Sequence, residues 1–311
     1  MIKSPIFYMG NKYDLLPYLL LYFPKEKDVK TFVDLFGGSG VVSANVPYEK
    51  IIYNELNHNI VRLMEIFKNE NGENIVKHIE SRIKEFDMPN ENMDIRQPDL
   101  KPEIFNKAKK TYLNFRAFYN KSDKNYKDLL TLTYFSFCNL LRFNSKSEFN
   151  MPFGNRCYLP NEHEADIIEF SKVLKQKKVE IFNKDAFEIL ETLDFDENTF
   201  IYLDPPYLNT MAIYNESRAF GGWQINHDQL LFKKLDELNA KKVKWALSNV
   251  LINKGKENNH LKEWAIKNNY TIIDLEHKQY SALGKGNAKS QEVLILNYET
   301  PFERYNIFDF I

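Results

Sequence analysis

Apolar and polar positions divide the chain into three stretches. Lys30–Leu35 is a short β-branched and apolar run that stops at Gly37-Gly38-Ser39-Gly40, and Lys50–Tyr53 is a second such run. Continuous apolar runs of this length, bounded by turn residues, predict buried strands of a parallel sheet. Val41–Val46 lies between them and can form the crossover helix. From about residue 56 the texture changes. His58–Phe67, Glu73–Phe86 and Phe105–Asn120 have helical spacing and abundant charge. Residues 87–102 are polar, contain Pro89, Pro98 and Pro102, and predict a loop. Leu129–Arg142 is strongly apolar and aromatic, and Asn144–Pro160 predicts a further loop. Sheet texture then returns. Val179–Phe182, Phe200–Leu203 and Val243–Ser248 predict strands, and His227–Leu238 and Leu261–Lys267 predict helices. Tyr270–Leu275 and Glu292–Tyr298 predict antiparallel edge neighbours.

An α/β fold follows, with residues 1–55 and 179–311 forming one discontinuous domain. Residues 56–178 are expected to form a mostly helical domain inserted into it.

Composition sharpens this picture in one place. Hydrophobic residues make up 43% and charged residues 27% of the 311, which describes a globular chain with a real core. The formal net charge of −1 hides an uneven distribution. Residues 107–160 hold ten Lys or Arg against three acids, inside the insertion. A concentrated basic segment is the footprint expected for a polyanion, or else a solvated lysine face. The two cysteines, Cys138 and Cys157, form no CxxC pair, and the six histidines form no ligand motif, so no metal site is expected. The N-terminus lacks the apolar run of a signal peptide, and no stretch of 18 apolar residues occurs. A cytoplasmic location is expected.

Three motifs carry chemistry. Phe32-Val33-Asp34-Leu35-Phe36-Gly37-Gly38-Ser39-Gly40 is a strand that ends in a glycine-rich turn. Such a turn at the carboxyl edge of a sheet lets the backbone approach a nucleotide closely, or is simply structural. Asp34 would repel phosphate but suits a cationic or amine-bearing ligand. Glu55, at the tip of the next strand, can chelate two ribose hydroxyls, or stand in solvent. Asp204-Pro205-Pro206-Tyr207 follows a third strand. Two prolines force the chain out of the sheet and leave the Pro205 carbonyl unpaired. Asp204 and that carbonyl offer two acceptors to an exocyclic –NH2, and Tyr207 offers a ring for a base to stack on.

These residues resemble the Dam-type, D12 class (alpha-group) DNA adenine-N6 methyltransferases, over nearly the whole chain. Phe7-Tyr8-Met9-Gly10-Asn11-Lys12 is similar to the family's N-terminal cofactor segment, with Tyr8 where Trp is common and Asn11 where Gly is common. Asp34-Leu35-Phe36-Gly37-Gly38-Ser39-Gly40 is similar to its cofactor loop, and Asn54-Glu55-Leu56-Asn57 to its ribose segment. Asn183-Lys184-Asp185-Ala186-Phe187 resembles the segment before the catalytic motif, and Asp204 to Tyr207 the catalytic motif itself. The resemblance implies a Rossmann-like methyltransferase sheet with an antiparallel C-terminal strand and an inserted target-recognition domain. It implies S-adenosylmethionine, held by Tyr8, Met9, Lys12, Asp34, Phe36, Gly37, Gly38, Ser39, Gly40, Glu55, Asp185, Ala186 and Asp204, with S-adenosylhomocysteine as product and no metal. Lys12 would reach the donor's methionyl carboxylate, and Asp185 the adenine amine, with Phe187 or Phe182 on its ring. Asn139-Leu140-Leu141-Arg142-Phe143-Asn144 and Glu148-Phe149-Asn150-Met151-Pro152-Phe153-Gly154 resemble a target-recognition hairpin. Arg142 would read a guanine, Asn139 would fill the gap left by a flipped base, and Asn144, Lys146, Asn150, Pro152 and Arg156 would also meet DNA.

The partner implied is double-stranded DNA at a GATC-like or other guanine-containing site. A monomer is expected, bacterial or phage-encoded, with a cognate restriction endonuclease as a separate chain. Cytosine N4 or RNA as target, and a catalytically inactive DNA-binding module, remain open. Ser248-Asn249 at a strand end, Trp223 on a closing loop, and the loop Gly284–Lys289 are further candidates for substrate contact.

Overall fold

A computed structural model of the chain describes residues 1–89, 102–208, 223–253, 255–275 and 291–300. It forms two compact units. The helical unit comprises Met1–Asn11, Gly38–Ala44 and Asn57–Val179, and the sheet unit Lys12–Gly37, Asn45–Leu56 and Glu180–Ile311.

The sheet is built from β1 (Thr31–Asp34), β2 (Lys50–Asn54), β3 (Lys178–Phe182), β4 (Thr199–Leu203), β5 (Lys244–Asn253), β6 (Lys256–Glu257), β7 (Thr271–Asp274) and β8 (Gln291–Leu296). Their order is β3-β2-β1-β4-β5-β8-β7, with the short β6 paired to β5. β1 lies parallel to β2 and β4, and β4 parallel to β5. β8 runs antiparallel to both β5 and β7. All five residues of β4 are buried, as a strand covered on both faces requires. The class is therefore mixed α/β with a mostly parallel sheet.

Two strand expectations need correction. β8 is interior, and only β7 of that pair is an edge, because Val293–Leu296 are buried and pair on both sides. β5 continues to Asn253, so Ser248 and Asn249 lie inside the strand rather than beyond it.

Helices α1 (Leu16–Tyr22), α8 (Ala186–Thr192), α9 (Ile225–Ala240) and α10 (Asn259–Lys267) belong to the sheet unit. Leu231 and Leu235 of α9 join Ile201, Trp245 and Ile295 of the sheet in one apolar core. The Trp245 indole donates to the Leu235 carbonyl at 3.1 Å, so this large ring is buried without an orphan donor. The crossover helix α2 (Val41–Asn45) is short, as its sequence allows.

The helical unit contains α3 (His58–Asn69), α4 (Gly72–Glu85), α5 (Pro102–Lys121), α6 (Tyr126–Phe135) and α7 (Pro160–Gln176). Asn57 starts α3 by accepting from the Asn59 and Ile60 amides. Ile60, Leu63, Met64 and Phe67 then bury one face. The apolar run Leu129–Arg142 is helical only to Phe135. α7 packs on α3 and α4, and α6 packs on α3, α4 and α5. No helix of the described residues is long and apolar enough to cross a membrane.

The contact between α4 and α7 is close enough to test. A Cβ on Gly72 would stand 2.4 Å from the Ile168 Cα, a backbone atom. Gly72→Ala is expected to destabilise the protein by about 2 kcal/mol through overpacking, despite the better helix propensity of Ala. Urea unfolding measures this, and an unchanged midpoint would contradict the packing described.

Candidate active site

The parallel strands deliver their carboxyl ends, and the acids that follow them, to one edge of the sheet unit. Asp34 closes β1, Glu55 follows β2, Asp185 follows β3 and Asp204 follows β4. β8 runs the other way, so its amino end reaches that same edge, with Glu292 paired opposite Val250. Asn54 ties the loops together. Its Nδ2 donates to the carbonyls of Leu35 and Lys184, each at 3.1 Å, and its Oδ1 accepts from the Lys184 amide at 3.1 Å. The Gly37 amide donates to the Asn54 carbonyl at 2.7 Å. A Cβ on Gly37 would fall 2.2 Å from the buried Tyr53 ring, so only glycine lets the turn lie this close.

The Asp204-Pro205-Pro206-Tyr207 segment leads into a compact cluster of charged and phenolic groups. The Lys12 Nζ lies 2.6 Å from Asp204 Oδ2 and 3.5 Å from Glu292 Oε1. It also stands over the Tyr207 ring, 5.3 Å from its centroid. The Tyr207 hydroxyl shares its proton between Asp204 Oδ1 at 2.6 Å and Glu292 Oε1 at 3.0 Å. Lys12 is only 6% exposed, so these two carboxylates compensate a buried ammonium. Burial holds the Asp204 carboxyl above the ordinary range although Lys12 and Tyr207 act to lower it, and Glu292 adds to the rise. Burial and then Asp204 push the Tyr207 phenol far up, so it stays protonated. Tyr202 of β4, hydrogen-bonded to Ser248 at 2.8 Å, is pushed up by burial and by Asp204, Asp34 and Glu292.

The edge suits a cationic ligand with an amine and a diol. Asp34 and Glu55 are buried carboxylates, and together with burial they raise the Tyr53 phenol. A close-lying glycine turn flanked by acids fits a sulfonium donor with an α-amino group and repels phosphate. Trp223 packs edge-on to Phe36 at 5.8 Å and nearly parallel to Phe187 at 6.2 Å. Its indole donates to Asp228 at 2.6 Å, which anchors it as a satellite of the core. Asp185 is exposed and caps α8 by accepting from the Phe187 amide, and Ala186 is buried behind it. Among the described residues no group of His, Cys, Asp or Glu is placed to hold a metal ion. Phe220–Gly222 and Gly284–Lys289 lie outside the described residues.

Tyr8, Met9, Gly38, Ser39 and Gly40 belong to the helical unit. A Cβ on Gly38 would meet the Tyr8 ring at 3.1 Å, and Gly38 and Gly40 adopt φ of +49° and +72°, where glycine is favoured. Met9 is exposed.

The same unit holds the basic segment, whose first part forms α5 and α6 and whose later part, residues 136–156, is an antiparallel two-limbed loop with Phe143 bridged to Phe149 and Ser136 to Phe153. Asn144 closes the tip, where its side chain accepts from the amides of Lys146 and Glu148. Arg142 donates Nε to the Asn150 side chain at 2.9 Å and Nη2 to the Asn150 carbonyl at 3.0 Å. Arg142, Lys146, Pro152 and Arg156 are exposed. Asn139 is not. It is buried, donates to the Thr133 carbonyl and accepts from Arg156 at 2.8 Å, which makes it a support of the loop rather than a displayed group. The side chain displayed there is Phe137, 54% exposed, next to Cys138 and Asn139 at φ of 54° and 56°.

Sequence reasoning missed Glu292 and Phe137, and it did not anticipate that Lys12 pairs with Asp204. The signal for Glu292 was an acid opening an apolar run on a strand already read as antiparallel. Phe137 sat inside an apolar run with nothing to mark it as exposed.

Residues 8–280 match the family model described as D12 class N6 adenine-specific DNA methyltransferase. The modification methylase StsI of Streptococcus sanguinis is 36% identical over 302 residues, covering 96% of this chain and 43% of that one. The type II methyltransferase M.FokI of Planomicrobium okeanokoites is 37% identical over 300 residues, again 96% of this chain and 43% of that one. The DNA adenine methylase of Escherichia coli is 25% identical over 209 residues, covering 66% of this chain and 65% of that protein. The chain thus spans less than half the length of the first two relatives.

Lys12→Met is expected to destabilise the protein by about 3 kcal/mol at neutral pH, since one partner of a buried ion cluster is lost. Without Lys12, Asp204, already held up by burial and by Glu292, would bind a proton more readily than in the unfolded chain. Stability gained from such a raised value is present in acid and lost as pH rises through it, so the deficit should be smaller near about pH 5 than near about pH 8. Denaturant midpoints across pH check this, and a deficit that grows toward acid would contradict the cluster.

Proposed function

The chain belongs to the D12 class N6 adenine-specific DNA methyltransferases, and on that premise we propose that it methylates N6 of an adenine turned out of duplex DNA. A guanine-containing site of the GATC type is the proposed target. The observation that carries this is Asp204 on its Pro205-Pro206 platform, held from both sides by Lys12 and Tyr207 at the carboxyl edge of the sheet.

Asp34, Phe36, Gly37, Glu55, Asp185 and Ala186 are proposed to hold S-adenosylmethionine, Glu55 through the ribose hydroxyls. The family pattern adds Tyr8, Met9, Gly38, Ser39 and Gly40. The donor would supply an electrophilic methyl, to which the amine lone pair would form the N–C bond as the S–C bond broke with its electron pair left on sulfur. An aromatic amine is a poor nucleophile because its lone pair is delocalised into the ring. Asp204 and the Pro205 carbonyl accept from its two hydrogens, favour a pyramidal nitrogen and so expose the lone pair. Lys12 and Tyr207 each use one acceptor site on Asp204, which leaves further lone pairs for the substrate. The proton shed by the methylated amine passes to Asp204. The Tyr207 ring stacks on the target base. Positioning and fixed electrostatics supply most of the rate.

In the basic loop, Arg142 is proposed to pair with guanine O6 and N7, oriented by its two bonds to Asn150. Asn144, Lys146, Pro152 and Arg156 line the DNA side, and Asn139 supports Arg156. Phe137 is an apolar wedge of the kind that unstacks a base step. The modification-methylase relatives fit a cognate restriction endonuclease on a separate chain.

Asp204→Ala is expected to reduce transfer of a tritiated methyl group to DNA by at least about 10³-fold, with donor affinity by calorimetry retained. Transfer at the normal rate would remove Asp204 from this role. Arg142→Ala should cost about 1–3 kcal/mol of preference for the guanine it reads, seen as relaxed site selection in competition assays. An unchanged preference would place Arg142 on the phosphate backbone instead.

A further inference from the structure

Glu292 has no part in the function proposed above, yet it touches two of the groups that hold Asp204. Its Oε1 accepts from the Tyr207 hydroxyl at 3.0 Å and lies 3.5 Å from the Lys12 ammonium. Both groups also bond Asp204, one on each oxygen. A carboxylate that is fully claimed by an ammonium and a phenol is a weaker acceptor for any third donor. Here the claim is divided. The Tyr207 proton can serve only one acceptor at a time, and the Lys12 charge faces two carboxylates. Glu292 reaches this place because β8 is antiparallel and its amino end meets the edge where β4 terminates.

We propose that Glu292 is a positioning residue of the catalytic centre, which shares Lys12 and the Tyr207 hydroxyl with Asp204 and so keeps the Asp204 carboxylate available to the substrate amine. The role in catalysis rests on the methyltransferase reading, but the electrostatic part does not. Lys12, Tyr207 and Glu292 face Asp204 directly, with Tyr202 of β4 and Asp34 of β1 alongside. Removing the Glu292 charge acts on Asp204 in one sense through every route. A repelling charge goes, and Lys12 and the Tyr207 proton are both drawn more strongly to Asp204. Each change favours the ionised form.

The test is Glu292→Gln, an isostere that keeps an acceptor oxygen and loses the charge. In the protein alone, with ¹³C-labelled aspartate, the Asp204 carboxyl titration followed by NMR should move to lower pH by about one pH unit. With donor and DNA, kcat should fall roughly tenfold while KM for the donor stays put, and the acid limb of the rate profile should move the same way. Glu292→Asp, which keeps the charge, should recover part of both. An Asp204 titration that stays in place or moves upward would overturn the proposal, as would wild-type kcat in Glu292→Gln. An NMR shift as expected in a protein whose wild type methylates nothing would instead sink the methyltransferase reading and leave the electrostatic link standing.

Discussion

The Lys12 ammonium is buried, and a buried cation is tolerated only when its charge is met at close range. Asp204 and Glu292 meet it, from segments far apart in sequence. That requirement reaches back into the topology. β4 must end at the sheet edge with Asp204 beyond it, and the last strand must be reversed so that Glu292 arrives there from its amino end. The two prolines after Asp204 keep the chain from extending the sheet, which would pair the backbone and close the edge. The antiparallel β8, inserted between β5 and β7, therefore brings a carboxylate to this edge as well as apolar side chains to the core.

Charge at this edge follows one logic. Asp204 and Glu292 flank the buried Lys12, and Asp34 and Glu55 are further buried carboxylates at strand ends of the same unit, an excess of negative charge that disfavours phosphate and suits a cationic donor. The close approach at Gly37 and the three hydrogen bonds of Asn54 fix the loops that carry Asp34, Glu55 and Asp185. The basic segment of the helical unit has the opposite character. There Arg142 is braced by Asn150 and Arg156 by Asn139, so these two exposed cations are presented in defined orientations.

Much of this was legible in the residues. The strand runs ending in glycines and in Asp204-Pro205-Pro206-Tyr207 located the edge, because short apolar runs with turn residues have few alternatives in an α/β chain. The class of the fold and the membership of the family followed from the same motifs. What was not legible depended on contacts between distant residues. Lys12 carries no mark of its partner, which lies far along the sequence just beyond β4. The interior place of β8 follows from pairing on both sides, which an apolar run alone does not reveal. The burial of Asn139 and the exposure of Phe137 accompany two successive residues, Cys138 and Asn139, that adopt positive φ and turn the chain, an event with no pattern in hydrophobicity.

The central claim is that this edge methylates the amine of adenine in DNA. Mass spectrometry of nucleosides from duplex DNA treated with the chain and S-adenosylmethionine tests it most directly. The account predicts N6-methyldeoxyadenosine as the new nucleoside, absent when Asp204 is replaced. N4-methyldeoxycytidine, or methylation of RNA with unmodified DNA, would contradict it.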